Sequence, residues 1–110
     1  MHKLKFDGFQ ARQGDVFVIE VDDIPSKTTE VAREDENIVL AHGEVTGHRH
    51  RIPSRHATLV RTEMDSRFMR VTAPVKLFHE EHSAIAIPAG KYVATIQREY
   101  HPEAIRAVED

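Results

Sequence analysis

Eight histidines stand in a chain of 110 residues, and six of them fall between His42 and His82. Imidazole is therefore the reactive group this chain carries in quantity. There is no Cys, which removes disulfides, thiolate catalysis and every Cys-based zinc site. A metal would have to be held by His, Asp or Glu. Neutral imidazole nitrogens bind Zn, Fe and Ni at about 2.0 to 2.2 Å, so several of them converging on rigid strands is the arrangement a divalent ion needs. A catalytic ion would use three and leave one position open.

The densest group straddles a predicted hairpin. Asn37 to His42 (NIVLAH) and His48 to Ile52 (HRHRI) flank the loop Gly43-Glu44-Val45-Thr46-Gly47. A loop of that odd length sets His42 directly opposite His48, with their Cβ atoms about 4.5 to 5.5 Å apart. His50 follows His48 on the same face, because side chains two apart on a strand point the same way. That face also carries Ile38, Leu40 and Ile52, whereas Arg49 and Arg51 occupy the other, so the histidine face is expected to point inward. His79 lies on the apolar side of Val75-Lys76-Leu77-Phe78-His79, and His82 follows in Glu80-Glu81-His82. The predicted site is thus His42, His48 and His50, completed by His79 or His82, holding a divalent transition metal (Zn, Fe or Ni). A lone strand histidine more often packs half-buried against backbone carbonyls, and His2, His56 and His101 are read that way. Glu44, Glu80 and Glu81 are read as loop solubilisers. No residue is assigned a catalytic role, since the chain shows no phosphate-binding loop, no Ser-His-Asp order and no paired-carboxylate signature.

The elements that must position these rings are strands. Short apolar or alternating runs separated by turn residues recur: residues 15–21, 37–42, 48–52, 57–62, 67–72, 75–79, 84–87 and 91–100. Ser26 to Glu36 is polar and reads as a surface connector or at most one helical turn. Ile87-Pro88-Ala89-Gly90 has the chemistry of a type I turn and is expected to join the last two strands as a hairpin. His101-Pro102-Glu103 opens a predicted short C-terminal helix. The expectation is a single mostly β domain over 1–110, an antiparallel barrel or sandwich of jelly-roll type.

Net charge is −3, from 15 Lys and Arg against 18 Asp and Glu, so there is no global positive field and nucleic acid is disfavoured as a partner. No apolar stretch approaches the ~20 residues that span a bilayer, and the N-terminus lacks a signal-peptide run. The reading is a soluble cytoplasmic protein without membrane contact. An unpaired edge strand predicts a homo-oligomer, with a dimer favoured.

Gly43, followed after four residues by His48-Arg49-His50, and then Ile87-Pro88-Ala89-Gly90, resembles the two short motifs of the cupins, small jelly-roll barrels that often hold a metal through His. The Glu of that pattern has no counterpart at Pro53, Ser54 and Arg55, and Val93 stands where its second-motif His would fall. The resemblance therefore implies substitution by His79 or His82. Gly43 to His50 (GEVTGHRH), His79 to His82 (HEEH) and Gln97 to Tyr100 (QREY) together resemble a family of small uncharacterised bacterial proteins over residues 13 to 108. Two functions from different classes emerge. One is a histidine-rich metal-binding β-barrel, in active form a small oxygenase, isomerase or hydrolase. The alternative is a non-enzymatic interaction or oligomerisation module of a bacterial system, whose His cluster is structural or senses pH.

Overall fold

Alternation along the chain resolves into ten strands among the residues that the computed structural model describes, which are 4, 5, 7–43 and 45–97. They are β1 (Gln10–Gln13), β2 (Val16–Glu20), β3 (Thr29–Glu30), β4 (Ile38–His42), β5 (Arg49–Ile52), β6 (Ala57–Arg61), β7 (Arg67–Val71), β8 (Val75–His79), β9 (His82–Ile87) and β10 (Gly90–Ile96). Every named strand pair is antiparallel. Two sheets result, one in the order β1-β2-β10-β7-β6-β3 and one in the order β4-β5-β8-β9. They do not close into a barrel, so the barrel expectation gives way to two open sheets.

The inner faces of both sheets meet in one apolar cluster. Val16, Val18, Leu59, Met69 and Tyr92 come from the larger sheet, and Ile38, Leu40, Ile52, Leu77 and Ile87 from the smaller. Each side chain taken out of water here contributes roughly 1.5–3 kcal/mol, and it is this shared cluster that fixes one sheet against the other. Tyr92 is buried yet satisfied: its hydroxyl donates to Pro88 O at 2.6 Å. Val21, Phe68 and Val93 form a second, smaller cluster with Ile19, Ile24 and Val60. Val93 and Phe68 pair across β10 and β7, on the face opposite to their neighbours Tyr92 and Met69.

At three places the local structure differs from, or adds to, the sequence reading. The Ile87–Gly90 turn does not form a hairpin, because β9 belongs to the four-stranded sheet and β10 to the six-stranded one. The turn carries the chain from sheet to sheet, with Ile87 and Tyr92 burying into the common core on either side of it. Within the polar connector there is no helical turn; Thr29 and Glu30 pair with Arg61 and Val60 as a two-residue edge strand. The strand β1 has no apolar alternation to announce it, since Gln10-Ala11-Arg12-Gln13 is polar. Its pairing follows from the two-residue turn Gly14-Asp15, where Gly14 takes φ 59°, a conformation that glycine adopts without a Cβ clash. The predicted C-terminal helix lies outside the described residues. No described helix is long and apolar enough to cross a membrane.

Candidate metal centre

Strand adjacency brings four of the predicted histidines together. His48 immediately precedes β5 and His50 lies within it, His79 ends β8, and His82 begins β9, so three consecutive strands of the smaller sheet supply the rings. His79 and His82 are paired across the Glu80-Glu81 turn. Ring centroids are 4.3 Å apart for His50 and His79, 4.7 Å for His79 and His82, 5.6 Å for His48 and His79 and 5.9 Å for His50 and His82. His79 touches all three of the others.

These rings line a pocket of ≈ 280 Å³ together with Gly14, Asp15, Gly43, Val45 and Glu81. Two glycines make room for them. A Cβ on Gly14 would lie 2.8 Å from His82 Nε2 and 3.3 Å from His50 Cε1; one on Gly43 would lie 3.0 Å from His48 Cβ and 3.4 Å from His79 Nε2. Gly14 belongs to the β1–β2 turn, so the larger sheet contributes one wall to a site built on the smaller.

Each ring has its own partners. His50, 3% exposed, places Nδ1 2.8 Å from Gln13 Oε1 and Nε2 3.6 Å from Asp15 Oδ1. His79 Nδ1 accepts a hydrogen bond from the Glu81 N–H at 3.0 Å. His48 Nδ1 is buried and makes no hydrogen bond; the Glu81 carboxylate stands 3.5 Å away. Glu80 accepts from the Arg49 N–H at 2.8 Å and faces Arg51 at 3.4 Å. That Arg49 amide is the largest cause holding its carboxyl below the usual range, with Arg51 assisting. His79 is pushed down from the ordinary imidazole value, first by burial and then by the neighbouring His82, so a neutral ring is its resting form. Among the described residues, one nitrogen each from His48 and His79 and one oxygen from Glu80 already lie within 4.8 Å of one another, close enough to hold one ion.

His42 is not part of this group. The structure pairs it with Arg49 rather than His48, and a register shift falls between Val39 and Ala41. One extra residue at that bulge turns His42 to the other face, where it is exposed and its Nε2 meets Glu34 Oε2 at 3.1 Å. His56 is exposed in the β5–β6 connection; His2, His101 and Glu44 lie outside the described residues. At the position of the missing cupin-type histidine, Val93 packs against Val21 and Phe68, away from the imidazoles.

Three polar residues of the site are not singled out by the sequence reading. Glu80 reads as a loop solubiliser and Asp15 as the first residue of a strand, while Gln13 falls outside every predicted element. For Glu80 the cue that was available is its place between two histidines three apart.

Residues 12–97 match the family described as "Domain of unknown function (DUF8820)", and the chain belongs to that family. No curated protein and no solved structure matches it.

Proposed function

We propose that this domain binds a divalent transition metal, Zn, Fe or Ni, in the pocket between the two sheets. His48 and His79 are the central ligands, and Glu80, His50 and His82 supply the remaining donors. The observation that carries this reading is the Nδ1 of His48, buried and without a hydrogen bond although the Glu81 carboxylate stands 3.5 Å away, set within a group of four imidazoles. A buried polar atom left without a hydrogen bond costs about 1–3 kcal/mol, and the Glu81 carboxylate at 3.5 Å does not supply one. A cation there supplies it with a partner. Asp15, Glu80 and Glu81 stand around the rings as negative charge for a dication. An all-nitrogen and oxygen donor set without thiolate suits Zn, Fe and Ni, and the remaining volume leaves room for a water or a small ligand at an open position.

The test is elemental analysis of the protein, made without a His tag, after loading with each metal and removal of excess. Near-stoichiometric retention is expected, and loss of it in the His48→Ala/His50→Ala double variant. His42→Ala should retain metal as the parent does. Retention that survives the double variant, or none in the parent, refutes the reading.

A further inference from the structure

Gln13 sits in β1 of the larger sheet, is 2% exposed, and reaches across to the smaller sheet. Its amide nitrogen donates to two backbone carbonyls there, Leu77 O and Ser83 O, each at 3.0 Å. Both are pure acceptors, so they fix which end of the amide is which: with the group reversed, an oxygen would face two oxygens. The Gln13 side-chain oxygen is therefore the atom that faces His50 Nδ1 at 2.8 Å. Being an acceptor, it requires the proton of that ring to be on Nδ1.

We propose that Gln13 is a positioning residue: it holds His50 in the Nδ1–H form and thereby directs the Nε2 lone pair into the histidine pocket as a metal donor. The second half of this statement rests on the metal reading above; the first does not. An imidazole without such a partner can carry its proton on either nitrogen, and only one of the two forms presents a lone pair at Nε2. Metal-bound histidines are oriented in this manner by a carboxylate, carbonyl or water on the other ring nitrogen, and loss of that partner typically lowers metal affinity about 10- to 100-fold. Here a side-chain amide takes the part. The two backbone carbonyls hold the amide, the amide holds the ring, and the β1–β2 hairpin that carries Gln13 also carries Gly14 and Asp15 to the pocket wall.

The variants are Gln13→Glu and Gln13→Met. Both disturb the bonds to Leu77 O and Ser83 O, Met by removing the donor and Glu by setting an oxygen or a single O–H against the two carbonyls, but only Glu keeps an oxygen to which His50 can donate. Two quantities are read. The first is the protonation pattern of the His50 ring in metal-free protein by nitrogen-15 NMR; the second is affinity for Co²⁺ as a spectroscopic probe. The wild type should show Nδ1–H with a pyridine-like Nε2. Gln13→Met should lose that pattern and bind Co²⁺ about 10- to 100-fold more weakly than Gln13→Glu. A wild-type ring protonated on Nε2 overturns the proposal without any variant having to fold. So does a Met variant whose ring pattern or Co²⁺ affinity equals that of the Glu variant. Absence of Co²⁺ binding in the wild type refutes the metal reading and with it the donor role, while the ring pattern separately decides whether Gln13 sets the tautomer.

Discussion

Gly14 and His82 come from different sheets, and their approach is close enough that a single methyl group on Gly14 would stand 2.8 Å from His82 Nε2. That contact is shorter than real Cβ atoms tolerate, and the exposed imidazole is the partner able to move. The Gly14→Ala variant should accordingly do two separable things. Its φ of 59° costs a non-glycine residue roughly 1–2 kcal/mol, to be read as a lower denaturation midpoint without metal. Displacement of His82 should also weaken metal retention. A variant that loses stability but retains metal as the parent does would show that His82 is not needed in the site.

The histidine cluster was largely legible before the fold was known, and the reason is the period of a strand. His48 and His50 share a face by being two apart, and His79 ends an alternating run whose inward members, Val75 and Leu77, are buried. His42 failed for an equally physical reason. Residues 38 to 41 are Ile, Val, Leu and Ala, all buried, so apolar residues occupy both parities and the pattern has no phase by which to fix register. A one-residue bulge in such a run costs no burial and leaves no trace in the sequence. Gln13 was invisible because its role depends on a neighbour 37 positions away in the other sheet, and nothing in a polar segment announces a contact of that kind.

Tyr92 should govern the alkaline limit of stability. Burial, with a smaller contribution from Glu20, pushes its hydroxyl from 10.0 up to about 12. The folded state thus keeps a proton that the unfolded chain gives up. Its contribution is complete below pH 10 and is lost as pH rises from 10 through about 12; the difference corresponds to roughly 2.7 kcal/mol. In Tyr92→Phe the bond to Pro88 O is gone, at about 1 kcal/mol near neutrality, but that alkaline loss is gone too. Urea midpoints of the two proteins should therefore converge above pH 10 and cross before pH 12, because the alkaline loss exceeds the value of the bond. A gap that stays constant to pH 12 would contradict the assignment.

At the acid end Glu20 should act in the opposite sense. It accepts from the Phe9 N–H at 2.9 Å and from Lys5 Nζ at 3.2 Å, and the Phe9 amide is the larger cause of its depressed pKa. Because the folded value lies below the ordinary 4.5, the unfolded chain takes up the proton first. The stabilisation is complete above that ordinary value and is lost as pH falls below it towards the folded value. Glu20→Gln should be less stable than the parent at pH 7 and should show a shallower decline in denaturation midpoint below pH 4.5. Parallel acid profiles for the two proteins would assign the decline to other carboxylates.

His79 and Glu81 supply the sharpest check on which rings bind the ion. The Glu81 N–H donates to His79 Nδ1 at 3.0 Å, so the neutral ring carries its own proton on Nε2. Neither nitrogen can then coordinate a metal without a change at this bond. Coordination through Nδ1 displaces the Glu81 amide from the lone pair it occupies. Coordination through Nε2 moves the ring proton to Nδ1, where two N–H groups would face each other. Saturating the protein with Zn²⁺ should therefore break the bond by either route, moving the Glu81 amide resonance and speeding its hydrogen exchange. The Gly43 amide should change far less, because it donates to His48 O at 2.7 Å, a backbone acceptor that neither route removes. His79→Ala should lose most of the metal affinity. If Zn²⁺ binds and the Glu81 amide neither shifts nor exchanges faster, His79 is not a ligand, and the ion is held by His48 with donors from the remaining side chains of the pocket.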